Sequence, residues 1–429
     1  MRLGGRLQAA IEILDDIETR KRPASDALKD WGLAHRFAGA GDRAVIGNIV
    51  YDALRRKLSI AWRMDSADAR DIAYGALLSD AEMNVETIAA ALEDDKFAPA
   101  PLDAARLAAW TSRDLAGAPD HIRADVPEWC ASHLEALFGS DWVREGAALA
   151  TRPPVDLRVN TLKASQAKVL KELARAGGTQ APLLPGAVRV PPLRALGRHP
   201  NVQAEPAFQK GWFEVQDLGS QIAARVAAVQ PGQQVLDYCA GAGGKTLALA
   251  AEMENRGQIH AFDAEKPRLA PIFERLKRAG VRNTQVHANI EDLAPLEGQM
   301  DVVLTDAPCT GSGTWRRRPD AKWRLSPPQL ERREAEQREV LDAAKRYVKP
   351  GGRLVYVTCS LFASENNLQI EAFLRENPDY SEVSAKPLWH AAVPDAGEAA
   401  PVFPSCGMVL SPERTSTDGF YIGVLQRNG

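Results

Sequence analysis

Leu7, Ile11, Leu14 and Ile17 recur at the spacing of one helix face, and Ile46, Ile49, Val50, Ala53, Leu54 and Leu58 repeat the pattern. Over residues 1–140, Gly and Pro clusters separate such segments and no stretch alternates with period two, which predicts an all-α domain. Between 150 and 215 the texture changes. Pro153, Pro154, Pro182, Pro185, Pro191, Pro192 and Pro200 punctuate short β-prone pieces, Val155–Val159 and Ala187–Val190, which predicts a small α+β module or structured connector. From 216 to 429, strand and helix patterns alternate. Strands are expected at Gln234–Tyr238, Gln258–Phe262, Thr284–His287, Asp301–Thr305 and Arg353–Thr358. Helices are expected at Lys245–Met253, Pro267–Ala279, Pro328–Val348 and Ser364–Arg375, and the acidic, Ala-rich 391–400 stretch reads as a surface loop. That alternation predicts a doubly wound α/β sheet, mostly parallel, whose ligands sit at the carboxyl ends of the strands.

Composition narrows the class. A chain of 429 residues, 45% apolar and 25% charged, has the material for two or three packed domains. Its 53 Lys and Arg nearly balance 56 Asp and Glu, for a net charge of −3. This excludes a uniformly basic nucleic-acid coat protein but not a local basic groove, because binding follows the local field. Arg55, Arg56 and Lys57 read either as a solvated helix face or as an RNA-facing surface. No apolar run is long enough to span a membrane, and the first twenty residues carry Arg2, Arg6, Asp15, Asp16 and Glu18, unlike a secretory signal. The five cysteines are odd in number, far apart and without a C-x-x-C pair, so free thiols in a cytoplasmic protein are expected. The seven histidines lack ligand spacing, and no metal site is expected.

The first strand of the α/β region runs into Cys239-Ala240-Gly241-Ala242-Gly243-Gly244-Lys245-Thr246. Gly-rich strand-to-helix turns let a ligand approach the backbone. A phosphate loop would need Gly where Cys239 stands, and a dinucleotide fingerprint would need Gly or Ala where Thr246 stands. A methyl-donor site for S-adenosylmethionine is the third reading. Asp263, about 20 residues past the glycines, is placed to hold ribose hydroxyls of that donor, or equally of NAD.

The ends of the later strands are more specific. One ends Asp306-Ala307-Pro308-Cys309 and the next Thr358-Cys359-Ser360. A lone Cys after a strand is usually a small buried hydrophobe. Two in equivalent positions point to thiol chemistry at one sheet edge. Immediately after Cys309 comes Trp315-Arg316-Arg317-Arg318-Pro319-Asp320-Ala321-Lys322-Trp323-Arg324. Its cations and indoles can neutralise phosphates and stack on bases, or simply start a charged helix.

Together these motifs resemble the RNA 5-methylcytosine methyltransferases of the Sun/NOL1/NOP2 type. So do Arg158-Val159-Asn160-Thr161-Leu162-Lys163, Val215-Gln216-Asp217 and Asp418-Gly419-Phe420-Tyr421. The helical N-terminal region resembles the RNA-binding fold of the antitermination factor NusB. The resemblance implies a Rossmann-like class I methyltransferase domain at 216–429, behind the module at 150–215 and an RNA-binding domain at 1–140. It implies S-adenosyl-L-methionine as cofactor, held by 239–245, Asp263, Asn289 and Asp306. Asn289 stands where family members usually carry an Asp near the adenine. The resemblance makes Cys359 the nucleophile and Cys309 the residue that assists release of the covalent RNA adduct. Asp306 and Lys245 act beside them. Arg158, Lys163, Arg316, Arg317, Arg318, Lys322, Trp323 and Arg324 are the expected RNA contacts. The expected substrate is 16S ribosomal RNA or the assembling small subunit. A tRNA-modifying enzyme and a non-catalytic RNA-binding factor of antitermination type are the alternatives. Paired cysteines and a Gly-rich turn argue against the second, because a binder needs neither.

Overall fold

The computed structural model describes residues 1–429 except Glu82, Leu193 and His199. The chain forms two compact units. One comprises Met1–Pro153 with Pro192–Pro200 and Thr314–Leu325, and the other holds the remaining segments.

The first unit is helical. Its helix Leu3–Arg20 packs on Ala40–Arg55 and Ala69–Asp80, and the predicted faces are the core: Leu7, Leu14, Ile17, Ile46, Ile49, Val50 and Ala53 are all buried. The basic run is paired within its own unit. Arg55 is buried, pairs with Asp52 at 2.7 Å and donates Nε to the Arg316 carbonyl at 2.7 Å. Arg56 pairs with Asp80 at 2.8 Å and Lys57 with Glu18 at 2.7 Å. Each cation is therefore committed to an acid of its own unit.

The helix Lys57–Met64 begins without a capping side chain of its own. Its open N–H groups are met from a distant segment. Asp125 Oδ1 accepts from Leu58 N at 2.9 Å and Ser59 N at 3.0 Å, although burial pushes this carboxyl up from its ordinary range.

The second unit contains two sheets. The small one has strands β1 (Val155–Val159), β2 (Thr179–Gln180), β3 (Ala187–Val190) and β4 (Phe213–Val215) in antiparallel order β2-β3-β1-β4. The helix Gln166–Leu173 covers its apolar face through Val169 and Leu173, packed on Leu157, Val188 and Phe213. The large sheet has strands β5 (Gln234–Asp237), β6 (Gln258–Phe262), β7 (Thr284–His287), β8 (Met300–Asp306), β9 (Val348–Thr358), β10 (Tyr380–Glu382), β11 (Met408–Leu410) and β12 (Phe420–Arg427). The order is β10-β12-β9-β8-β5-β6-β7, with β11 on β12. Strands β5 to β9 pair in parallel, and β12 lies antiparallel between β9 and β10. No helix among the described residues is long and apolar enough to cross a membrane.

Two expected helices differ from the pattern. The stretch at 267–279 is split into Lys266–Leu269 and Ile272–Ala279, because Pro271 has no N–H to continue the ladder. The long charged helix is Pro327–Ala344, and the chain is already β-strand at Val348. The β8–β9 register shifts between Met300 and Val302, and Gly351 at φ +74° turns the chain there.

Replacing Asp125 with Ala is expected to cost about 1–2 kcal/mol, the range for a lost helix cap. Asp125→Asn should cost less, since its carbonyl still accepts. Urea unfolding checks both; an unchanged midpoint for the Ala variant would contradict the capping role.

Candidate active site at the ends of two parallel strands

Parallel pairing fixes the site. β8 and β9 are neighbours with Asp306 opposite Val357, and Ala307 N donates to the Val357 carbonyl at 2.9 Å. The loops leaving the two strands therefore start side by side. They bring Cys309 Sγ within 3.4 Å of Cys359 Sγ. The chain returns to this edge at 418–420. Gly313 N donates to the Cys359 carbonyl at 3.0 Å, and Gly419 N to the Gly313 carbonyl at 2.8 Å. A Cβ on Gly313 would stand 2.1 Å from the Gly419 carbonyl oxygen, so this crossing admits only glycine. Asp217, which caps the helix Leu218–Val226, also accepts from Asp418 N at 3.2 Å, which joins the two flanking motifs.

From the next strand, β5, the Gly-rich turn supplies Lys245. Its buried ammonium lies 2.6 Å from Asp306 Oδ2 and 5.4 Å from the centre of the Phe420 ring. The turn is shaped by Gly241 at φ +51° and Gly243 at φ +82°. Asp263, buried at the end of β6, holds it in place: Oδ2 accepts from Gly241 N and Oδ1 from Glu265 N, both at 2.9 Å. Below the turn, Asp237 is fully buried; Oδ2 accepts from Thr246 Oγ1 at 2.6 Å, while Oδ1 has no partner among the described residues. Burial, reinforced by Asp306 and Asp263, pushes this carboxyl up to about 7.

The thiols are not equivalent. The hydrogen bond from the Cys309 thiol holds Cys359 below the usual cysteine range, against burial and Asp306, with help from Lys245. Cys309 is pushed well up by the same bond, by burial and by Glu365. Burial pushes Cys130, Cys239 and Cys406 up. All five cysteines are free thiols, and Cys359 is the one whose surroundings favour the thiolate, the nucleophilic form of sulfur.

Residues 224–426 match the family described as 16S rRNA methyltransferase RsmB/F, and 126–191 match the ferredoxin-like domain of RsmF/B-like methyltransferases. The region 224–426 is thus of the RsmB/F methyltransferase type. The chain is 37% identical over 257 residues to ribosomal RNA small subunit methyltransferase B of Salmonella typhi, across 59% of this chain and 58% of that one. The chain thus spans about 58% of the length of the curated relatives it matches. The structure of PH0851 covers both chains completely, with a TM-score of 0.74 and 26% identity. A methyltransferase homologue from Pyrococcus horikoshii superposes with a TM-score of 0.57 and 28% identity, covering 72% of this chain and 97% of its own. The large sheet is the Rossmann-like core of this RsmB/F fold, with the small antiparallel module and the helical region ahead of it in sequence.

The structure draws Lys245, Asp263, Asp306, Cys309, Cys359 and the 239–244 turn into one end of the large sheet. Asn289 lies after β7, exposed, accepting from Lys266 Nζ at 3.0 Å. The expected RNA contacts divide. Arg158 is buried in β1 and donates to Gln216 Oε1 at 2.7 Å; burial lowers its guanidinium to about 10. Lys163 donates to the Arg278 carbonyl at 2.6 Å, and Asn160 Nδ2 to the Ala279 carbonyl at 2.7 Å, so the motif closes the end of the helix Ile272–Ala279. Lys322 is 1% exposed and donates to the carbonyls of Arg55 at 2.8 Å and Asp125 at 2.5 Å. Arg316 is buried as well, Trp323 donates to the Leu54 carbonyl at 2.7 Å, and Arg324 pairs with Asp320 at 2.9 Å. Lys322 and Trp323 anchor 314–325 in the helical unit, while Arg324 pairs within the segment and stays half-buried. Arg317 and Arg318 are exposed.

Glu365 and Gln337, both fully buried, were not expected here. Gln337 carries a signal: it shares one helix face with the buried Leu330, Leu341 and Ala344, where a polar residue needs a partner.

Asp237 sets a pH dependence. Between its ordinary 3.8 and about 7, the folded chain keeps a proton that the unfolded chain has released. Its contribution to stability is complete below 3.8 and lost as pH rises towards 7. Asp237→Asn, neutral throughout, should raise the urea midpoint at pH 8 and lose that advantage as pH falls to 3.8. Equal midpoints at pH 8 would show that the carboxyl is not strained by burial.

Proposed function

We propose that this chain is an S-adenosylmethionine-dependent RNA cytosine carbon-5 methyltransferase acting on small-subunit ribosomal RNA, in the reducing cytoplasm that free thiols suit. The observation that carries the reading is the thiol pair, 3.4 Å apart beside the Lys245–Asp306 ion pair. A hydrophobic role needs no such pair at a sheet edge next to a buried cation. The matched family and the relatives named as small-subunit methyltransferases support the substrate class.

The donor site fits a zwitterionic, ribose-bearing ligand. The Gly241 turn leaves the backbone approachable: a Cβ there would meet only Arg268 and Asp263, at 3.6 and 3.8 Å. Asp263 offers a carboxylate for ribose hydroxyls, Lys245 a cation for a carboxylate, and the orphaned Asp237 Oδ1 an acceptor beneath the turn. When bound, S-adenosylmethionine supplies an electrophilic methyl group.

On the protein side, Cys359 is the nucleophile. Its thiolate adds to carbon 6 of cytosine, forming an S–C bond, and the electron pair of the 5,6 double bond moves to carbon 5, which becomes able to take a methyl group. Loss of the carbon 5 proton then restores the double bond and expels Cys359 as a thiolate. Cys309, whose thiol already hydrogen-bonds that sulfur, assists this release. Asp306 has one oxygen on Lys245 and a side chain 38% exposed, so its free lone pairs can accept from the exocyclic amine of cytosine, which uracil lacks. The base must be unpaired or flipped for a ring-face attack.

Purified chain, tritiated donor and 16S rRNA provide the test. Cys359→Ala should reduce methyl transfer by at least ~10³-fold. Cys309→Ala should accumulate a covalent protein–RNA band on a denaturing gel. An active Cys359→Ala enzyme would refute the assignment, and absence of label on RNA with wild-type protein would refute the function.

Arg317 and Arg318 are the exposed basic positions of 315–324. Replacing both with Ala should weaken RNA binding and flatten its log–log salt slope by about 0.7–0.9 per lost contact, with thermal stability unchanged. Lys322→Ala should do the reverse, lowering the melting temperature.

A further inference from the structure

Glu365 is a carboxylate with no exposure to solvent, in the short turn Ala363–Glu365 after Cys359. A buried charge is costly unless its lone pairs are filled. Here they are filled from both cysteine loops at once. Oε1 accepts from Thr310 N at 2.8 Å, and Oε2 from Thr310 Oγ1 at 2.5 Å and from Ser360 Oγ. Thr310 and Ser360 are the residues directly after Cys309 and Cys359. Gln337 completes the arrangement, donating Nε2 to Glu365 Oε1 and to the Pro308 carbonyl, both at 2.9 Å. Both flanks of Cys309 are thereby tied to one carboxylate. Its own backbone is fixed in turn, with the Glu365 carbonyl accepting from Tyr356 Oη of β9 at 2.7 Å.

The geometry points to Glu365 as a positioning residue that clamps the two cysteine loops at the separation where one thiol hydrogen-bonds the other. It rests on the reading of Cys309 and Cys359 as the reacting pair. The carboxylate touches neither sulfur. It acts through the residue after each one, and an acceptor-only group with two oxygens is what four donors converging from two loops and a helix require. Burial raises the Glu365 carboxyl, and these same four hydrogen bonds oppose that rise.

The clamp can be measured without methyl transfer. Oxidised glutathione accepts two electrons from a thiol pair: two S–H bonds are lost, one protein disulfide forms, and two glutathione thiols carry away the protons. The rate of Cys309–Cys359 disulfide formation, followed by mass spectrometry, reports how the sulfurs are held together. Glu365→Ala should slow it at least tenfold. In single-turnover methylation the same variant should lose ~10²-fold in rate, the scale of an ångström misplacement, with RNA KM within twofold of wild type. Glu365→Gln keeps one oxygen for Thr310 N and Gln337 and presents an amide to two hydroxyls that can turn to accept. It should restore the disulfide rate to within threefold of wild type. Should Glu365→Ala fail to fold, the double variant Thr310→Val, Ser360→Ala removes the two hydroxyl arms alone and should slow disulfide formation severalfold. Wild-type disulfide rates in Glu365→Ala, or in the double variant if Ala does not fold, would overturn the inference, as would equal impairment by Ala and Gln. If wild-type protein methylates no RNA, the proposed function fails, while the disulfide rates still decide the clamp.

Discussion

The in-register parallel pairing of β8 with β9 is the constraint on which the site depends. Parallel neighbours deliver their carboxyl ends to the same edge, so residues just beyond those ends meet whatever their distance in sequence. Fifty residues separate Cys309 from Cys359, yet their sulfurs stand 3.4 Å apart. The strand β12 secures that edge from the other side, running antiparallel to β9 with Tyr421 opposite Thr358. Its entry through Gly419 crosses the Cys309 loop at Gly313, where backbone meets backbone. The entry to β12, a strand paired on both sides, thus serves as a strap over the two cysteine loops.

Charge is distributed around the thiols so that the two do not behave alike. A hydrogen bond between equivalent thiols has no preferred direction. Lys245 breaks that equivalence by favouring negative charge on Cys359, whereas Glu365 opposes charge on both thiols. The same ammonium neutralises Asp306, leaving a carboxylate edge available for recognition. One buried cation therefore serves an acid and a thiolate together, which is economical where each unpaired charge would carry a desolvation cost.

The cations of this chain show how little a residue type says about its partner. Arg55, Arg158 and Lys322 are long basic side chains in runs that resemble nucleic-acid patches, and all three are spent inside the fold. Their heads satisfy carbonyls, a carboxylate and an amide oxygen that a compact domain would otherwise bury unpaired. With 53 basic against 56 acidic residues, internal pairing is available to most of them. Only burial distinguishes such residues from exposed cations like Arg317 and Arg318.

The amino-acid sequence by itself determined the elements and their chemistry. Apolar period marked the helix faces of the first unit, and the runs at 258–262 and 284–287 are strands with the expected bounds, because local burial patterns survive in the chain order. The Gly-rich turn and the two cysteine motifs were legible because each is short and contiguous. Hidden were the strand β12, which begins where the helix–strand alternation had lapsed, and the break at Pro271. Hidden too were the partners of Arg158, Lys163 and Lys322. Each of these donates across 47 to 267 residues of chain, to groups with no local signature. Glu365 and Gln337 belong with them. A glutamate in a turn and a glutamine in a charged helix look like solvent positions until packing removes the water, and only tertiary structure decides which polar groups must find one another.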